Sequence, residues 1–163
     1  MYMLECDYAE GERKTALVAL DPLLSEYESE YSYIFSQVWK GSGETAGSIQ
    51  KIYHYPNIAR RVLEAFFAFR LPHSAHTWND SRYQKNMHGN LDEFNFDKAK
   101  TNRIVNFLNA HSHNARADDF VDHNECLLLE TPAVLADVLA FMKHADEGHY
   151  VGMMKLLSAT TPN

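Results

Sequence analysis

The chain has 163 residues, of which 45% are hydrophobic and 12% aromatic, which is enough to bury the core of one domain. Its formal net charge of −7 excludes a generally basic surface, so any contact with RNA or DNA must be local. The two cysteines, Cys6 and Cys126, give no disulfide framework and fit a reducing compartment. Because no apolar run reaches the roughly 18 residues of a membrane helix and no signal peptide opens the chain, we expect a cytoplasmic protein without membrane contact.

The first 20 residues predict a β-hairpin. Residues 1–8 are rich in apolar side chains without a helical period, residues 9–12 form a turn signal, and residues 14–20 are rich in β-type side chains. Because an isolated hairpin is barely stable in water, we expect it to pack on helices or to belong to the sheet of a larger protein.

Residues 21–163 predict a small helical bundle, so the expected fold class is mainly α. Apolar side chains recur at helical spacing, and proline, glycine or polar clusters separate the periodic stretches. Asp21-Pro22 and Thr131-Pro132 are each typical of a helix start, with a capping side chain followed by proline. We expect helices at 21–40, 56–71, 97–111, 131–147 and 149–157, a flexible linker at 41–48, a polar loop at 73–93 and a polar connection at 115–124.

The stretch from Pro56 to Pro72 predicts the central helix, with proline suited to its start and forbidding its continuation. At roughly 100° per residue, apolar side chains cover most of its circumference, which indicates a buried helix. A buried helix seldom keeps charged side chains unless they pair or take part in chemistry. The apolar residues are Ile58, Ala59, Val62, Leu63, Ala65, Phe66, Phe67 and Phe69, and the polar stripe consists of Asn57, Arg60, Arg61 and Glu64.

Arg60 and Glu64 lie one helical turn apart, and the pattern of the later helix turns His111 inward. An arginine, a carboxylate and an imidazole can cleave RNA without a metal. A base takes the 2′-OH proton, an acid protonates the leaving oxygen, and the guanidinium stabilises charge on the phosphorane. The structural alternative is an internal Arg60–Glu64 ion pair that locks two helices, with His111 as a hydrogen-bonded core residue.

The number of histidines, nine, raises the question of a metal site. His111 and His113 would point in different directions on a helix, so they do not easily hold one ion there. Other conceivable ligands are His73, His76, His144 and His149. Because no cysteine pair or HExxH pattern supports zinc, we expect neither a metal nor a cofactor.

Several segments together form a pattern that is seen in a known family. They are Met3-Leu4-Glu5-Cys6, the run from Leu20 to Tyr31 (LDPLLSEYESEY), the run from Pro56 to Phe69 with Arg60-Arg61-Val62-Leu63-Glu64, the run from Asn106 to His113, and Asp146-Glu147-Gly148-His149-Tyr150. This pattern resembles the C-terminal part of the ABC-ATPase-coupled anticodon nucleases, the wobble-nucleotide-excising tRNases, and of related bacterial defence ATPases. The resemblance covers most of the chain.

The resemblance implies a nuclease domain of the HEPN type, an α-helical dimerising fold, over residues 21–163. Residues 1–20 are then a β-hairpin left from an ATPase core. The implied activity is cleavage of RNA in a tRNA anticodon loop, which leaves a cyclic phosphate and is governed by nucleotide turnover in the ATPase part. The implied catalytic residues are Arg60, Glu64 and His111, supported by Asn57, Arg61 and His113.

The sequence also departs from this family. It lacks a GxxxxGKS or GxxxxGKT motif and an acidic strand for magnesium, so we do not expect it to hydrolyse ATP by itself. The polar segment at 73–93 lengthens the separation of Glu64 from His111, which leaves His113 as an alternative to His111. Relatives of the ATPase share the helical region without a nuclease role, so the alternative function is a non-catalytic dimerisation or interaction module of a bacterial defence ATPase.

Overall fold

The computed structural model describes residues 2–9, 12–19, 29–44, 53–71, 83–110 and 120–160. Over these residues the chain forms two β-strands and six α-helices. The strands are β1 (Tyr2–Ala9) and β2 (Glu12–Ala19). The helices are α1 (Glu30–Gly43), α2 (Tyr55–Arg70), α3 (Tyr83–Asp92), α4 (Lys98–Ala110), α5 (Phe120–Ala145) and α6 (Glu147–Thr160). The predicted mainly α bundle is confirmed.

The predicted hairpin is also confirmed. β1 and β2 pair antiparallel, with Tyr2 opposite Ala19 and Leu4 opposite Leu17. One face of this sheet carries exposed apolar side chains, since the exposed fractions of Tyr2, Leu4 and Leu17 are 70%, 68% and 67%. Among the residues whose burial is described, the core cluster draws on the helical part of the chain and not on either strand.

α1 begins later than the sequence predicts. Ser29 has an extended backbone (φ −154°, ψ 158°), so a continuous helix from Asp21 is wrong at this residue. The Ser29 hydroxyl accepts a hydrogen bond from the backbone N–H of Ser32 at 3.1 Å, and the Ser32 hydroxyl accepts one from the N–H of Ser29 at 3.1 Å. This reciprocal cap satisfies N–H groups at a helix start. The predicted start at Asp21-Pro22 lies outside the described residues.

α2 forms where the sequence predicts the central helix, but it is amphipathic. Phe69, predicted to face inward, is exposed over 78% of its surface. The buried residues of α2 are Tyr55, Pro56, Ala59, Val62, Leu63, Phe66 and Phe67. The prediction of a helix buried nearly all round is therefore wrong, because Asn57, Arg61 and the stretch from Ala68 to Arg70 are exposed.

α3 occupies part of the region that the sequence predicts as a loop at 73–93. Its core contacts come from Met87 and Leu91, one helical turn apart, with exposed fractions of 2% and 0%. The loop prediction is wrong for residues 83–92 because two apolar anchors among polar side chains give a weak periodic signal. Residues 72–82 lie outside the described part of the chain.

α5 continues through Thr131-Pro132, which the sequence predicts as a helix start. Pro132 lies inside the helix and cannot donate a hydrogen bond to the carbonyl group one turn earlier, at a cost of about 3 kcal/mol. α5 packs against α1, α2, α4 and α6, and this tertiary packing outweighs the local preference. The predicted connection at 115–124 is correspondingly wrong from Phe120 onward. Neither α5 nor another helix in the described ranges combines the length and hydropathy needed to cross a bilayer.

Phenylalanine rings from three parts of the chain meet around Phe141 of α5. The ring centroid of Phe141 lies 6.0 Å from that of Phe66 and 5.7 Å from that of Phe67, both on α2. Phe94 and Phe96, which follow α3, meet the same ring nearly edge-on at 5.6 and 5.4 Å. Such edge-to-face packing stabilises beyond the burial of area, so this cluster fixes α2 against α5.

Candidate functional site

The predicted site residues of α2 lie on one side of the helix and differ in burial. Arg60 and Glu64 are half-buried, whereas Asn57 and Arg61 are exposed. Their spacing places all four on one side of the helix, as the sequence predicts. Asn57 and Arg61 are therefore open to solvent, whereas Nε of Arg60 is buried.

The guanidinium of Arg60 contacts the end of α4. Its Nη2 donates a hydrogen bond to the backbone carbonyl oxygen of Leu108 at 3.2 Å. Leu108 is one of the last four residues of α4, whose carbonyl groups have no partner inside the helix. A cation at this position also interacts favourably with the helix dipole. The polar stripe of α2 thus lies against the C-terminal end of α4.

Glu64 does not form the ion pair with Arg60 that the four-residue spacing allows. Within the described ranges no ion pair joins these two side chains, and Nη2 of Arg60 donates to the carbonyl oxygen of Leu108. The side chain of Glu64 is half-buried on α2. A carboxylate offers hydrogen-bond acceptors and belongs to the groups that general acid–base catalysis uses.

Arg61 forms an ion pair with Glu30, the first residue of α1. The side chains are 48% and 68% exposed, so the pair contributes between 0 and about 1 kcal/mol to stability. Its structural role is to connect the start of α1 with the polar stripe of α2.

His111 and His113 lie outside the described residues. α4 ends at Ala110, directly before His111, and Arg60 contacts Leu108 in that last turn. Arg60 therefore contacts the helix that leads into His111, and Glu64 lies one turn further along α2. Convergence of all three side chains stays a prediction.

The other histidines considered as metal ligands divide into two groups. His73 and His76 lie outside the described residues. His144 donates from Nε2 to the carbonyl oxygen of Phe94 at 2.9 Å, and His149 Nε2 lies 2.8 Å from the hydroxyl of Tyr31. Among the described residues, no group of three or more His, Cys, Asp or Glu side chains could hold a metal ion.

A buried carboxylate that was not predicted from the sequence joins α4 to α5. Asp137 is 5% exposed, and its Oδ2 accepts hydrogen bonds from Nε of Arg103 at 2.7 Å and from Nη2 of the same residue. Nζ of Lys100 lies 3.5 Å from Oδ1. The sequence does carry an indication of this contact, which is a single aspartate inside an apolar helical run. A carboxylate there is expected to be buried, and a buried carboxylate rarely lacks a cationic partner.

A second polar cluster joins α1, α2 and α6. Asp146 accepts a hydrogen bond from the backbone N–H of His149 at 2.9 Å, and its other oxygen lies 3.1 Å from Nη1 of Arg70. Burial lowers the pKa of His149, Asp146 raises it, and Arg70 lowers it again. Burial also raises the pKa of Tyr31, whose hydroxyl meets His149. These contacts hold the end of α2 against the start of α6.

His88 connects α3 to α4 through both ring nitrogens. Nδ1 lies 3.0 Å from Oδ2 of Asp92, and Nε2 lies 2.9 Å from Oδ1 of Asn102. Two acceptors favour the doubly protonated ring. The hydrogen bond with Asn102 raises the pKa of His88, burial lowers it, and Asp92 raises it further.

A family model described as an AAA domain matches residues 1–140 of the chain. The match spans both strands, α1 to α4 and most of α5, and it includes the polar stripe of α2. α6 lies beyond the matched residues. No curated protein and no solved structure matches the chain significantly.

Proposed function

Because the chain belongs to the AAA-domain family, we propose that its helical bundle is an RNA endonuclease effector controlled by an ATPase part. The proposed substrate is the anticodon loop of tRNA, and the reaction uses no metal. In this proposal the bundle is of the HEPN type and acts as a homodimer, and the hairpin at 1–20 belongs to the ATPase core.

The hydrogen bond from Arg60 to the carbonyl oxygen of Leu108 supports this proposal most directly. It joins Arg60 to the last turn of α4, after which the chain continues into His111. A guanidinium carries five N–H donors in a planar fork, a geometry that suits a phosphate group. Glu64, a half-buried residue one turn further along α2, supplies a carboxylate for proton transfer.

The reaction proceeds by attack of the ribose 2′ oxygen on the adjacent phosphorus. Glu64 takes the 2′-OH proton or orients the base that does so, and His111, with His113 as the alternative, protonates the leaving 5′ oxygen. Arg60 stabilises the charge on the phosphorane, with Arg61 and Asn57 in support. The P–O5′ bond breaks, and the products are a 2′,3′-cyclic phosphate and a 5′-hydroxyl end.

The test is cleavage of total tRNA in EDTA by the parent protein and by Glu64→Gln and His111→Ala. We expect each substitution to lower the rate by about 10²- to 10⁴-fold, because each removes a proton-transfer group. The measurement is product formation on a denaturing gel, with the cyclic phosphate identified by its resistance to phosphatase until acid treatment.

Glu130→Gln is the matched control, since Glu130 is an exposed glutamate on α5. Melting of every variant is recorded alongside, so that loss of activity is separated from loss of folding. Equal rates for the parent, Glu64→Gln and His111→Ala, or no cleavage by the parent, would contradict the endonuclease proposal.

The second candidate is a non-catalytic dimerisation or interaction module of a defence ATPase. It is favoured by the partners of the two arginines, since Arg60 contacts a backbone carbonyl of α4 and Arg61 pairs with Glu30 of α1. Both contacts hold α2 in the bundle and have a structural use without RNA. This candidate predicts that Glu64→Gln changes neither tRNA integrity nor the melting temperature.

A further inference from the structure

The outer side of α4 carries three asparagines in one line. Asn102 and Asn106 are exposed and Asn109 is half-buried, and their spacing of four and then three residues places them on the same side. Ile104, Leu108 and their neighbours face the core. Asparagine is a poor helix former because its side chain competes for backbone hydrogen bonds. The three asparagines therefore do not serve to stabilise α4.

The asparagine line runs along α4 from a contact with α3 to the last turn of the helix. At one end, Oδ1 of Asn102 meets Nε2 of His88 at 2.9 Å, which orients this amide. At the other end, Asn109 follows Leu108, whose carbonyl oxygen accepts the hydrogen bond from Arg60. At about 1.5 Å per residue the line is roughly 10 Å long, close to the length of three stacked nucleotides.

The chemistry of these side chains fits base edges better than phosphates. A carboxamide offers a donor and an acceptor side by side and can bind adenine through two hydrogen bonds, but it carries no charge for a phosphate. In the described part of the chain, the side chains of Asn106 and Asn109 make no hydrogen bond to the protein. Bases present such edges when RNA is single-stranded.

We propose that Asn102, Asn106 and Asn109 form a binding line for unpaired RNA bases beside the scissile phosphate. This base binding rests on the proposed endonuclease function and specifies its substrate as single-stranded rather than duplex RNA. The line supplies sequence-reading contacts, whereas Arg60 supplies the contact to phosphate.

The test measures binding of a labelled seven-nucleotide oligoadenylate with 2′-O-methyl riboses by fluorescence anisotropy, using the full chain. The methyl groups block attack by the 2′ oxygen, so binding is read without cleavage. We expect Asn106→Ala to weaken binding about tenfold, because an amide that contacts a base is removed. The slope of log Kd against log salt should stay unchanged, because no phosphate contact is lost.

Gln37→Ala is the control, since it removes a half-buried amide from α1 and should bind like the parent. Alanine favours helices more than asparagine, so Asn106→Ala should melt at the same temperature as the parent or higher. Asn106→Asp is a second variant that keeps the side-chain shape, and we expect it to bind more weakly than Asn106→Ala.

Three results would overturn the proposed base binding. They are parent-like affinity of Asn106→Ala, a weaker affinity accompanied by a smaller salt slope, or equal binding of the parent to the oligoadenylate and to its duplex. If the parent cleaves tRNA and Asn106→Ala binds like the parent, the endonuclease proposal stands and the base-binding proposal is contradicted. If binding depends on Asn106 but the parent does not cleave tRNA, the base-binding proposal stands and the endonuclease proposal is contradicted.

Discussion

Gly41 lies where α1 meets both α2 and α5. A Cβ at this position would come within 2.6 Å of Cδ1 of Leu135 and of the ring of Tyr55. We expect Gly41→Ala to lower the free energy of unfolding by about 1–3 kcal/mol, because the packed neighbours must move. Urea denaturation measures the change.

Gly152→Ala provides the contrast, because nothing lies within 4 Å of a Cβ at this position in α6. Here alanine should raise stability by about 0.5–1 kcal/mol through its helix preference. If both substitutions changed stability equally, the close approach at Gly41 would have no energetic consequence.

His149 and His88 make stability depend on pH in opposite directions. Burial lowers the pKa of His149 from 6.5, so its contribution is present above pH 6.5 and is lost as pH falls. The hydrogen bond with Asn102 raises the pKa of His88 from 6.5, so its contribution is present below pH 6.5 and is lost as pH rises through the folded-state pKa. We expect the free energy of unfolding to be greatest near pH 6.5, as measured by urea denaturation between pH 5.5 and 8.

The two sides of this pH profile can be separated by substitution. His149→Gln should flatten the decrease on the acid side, and His88→Gln should flatten the decrease on the alkaline side. A profile that keeps its acid side in His149→Gln would show that other groups set the dependence.

At the residue scale, the sequence predicted which site residues share a side of α2 but not what they contact. Periodicity places Arg60 and Glu64 together. It cannot show that Arg60 reaches a backbone carbonyl on another helix, because that contact depends on how α2 and α4 pack. The partners of Asp137 were missed for the same reason.

At the element scale, strong local patterns were predictive and weak ones were not. The hairpin follows from β-type side chains around a turn signal, and α2 follows from a broad apolar side. α3 was missed because two apolar anchors hardly produce a period, and the start of α5 was misplaced because Pro132 is tolerated inside a well-packed helix.

The hairpin is an element outside the described core, and substitution should reveal this. Leu17 is 67% exposed, so Leu17→Lys should change the free energy of unfolding by no more than about 0.5 kcal/mol. Leu63 is fully buried on α2, so Leu63→Ala should cost about 2–5 kcal/mol. Both values come from denaturant unfolding followed by far-UV circular dichroism. A loss for Leu17→Lys comparable to that for Leu63→Ala would mean that the hairpin shares the cooperative core.

At the scale of the whole molecule, charge limits how the chain can bind RNA. The net charge is −7, and several cations already meet acceptors within the described part of the chain. These are Arg60, Arg61, Arg70, Lys100 and Arg103. Little positive potential remains for long-range attraction of a polyanion. Recognition must therefore come from short-range contacts at the proposed site or from the ATPase part.

The ring of Phe141 has a practical consequence for where the folding unit can be cut. It follows directly after the last residue matched by the family model, yet it packs against rings from α2 and from the segment after α3. Met153 and Leu157 of α6 are buried as well. A fragment trimmed at residue 140 would leave the phenylalanines of α2 facing water, so expression boundaries drawn from sequence similarity alone would divide one cooperative unit.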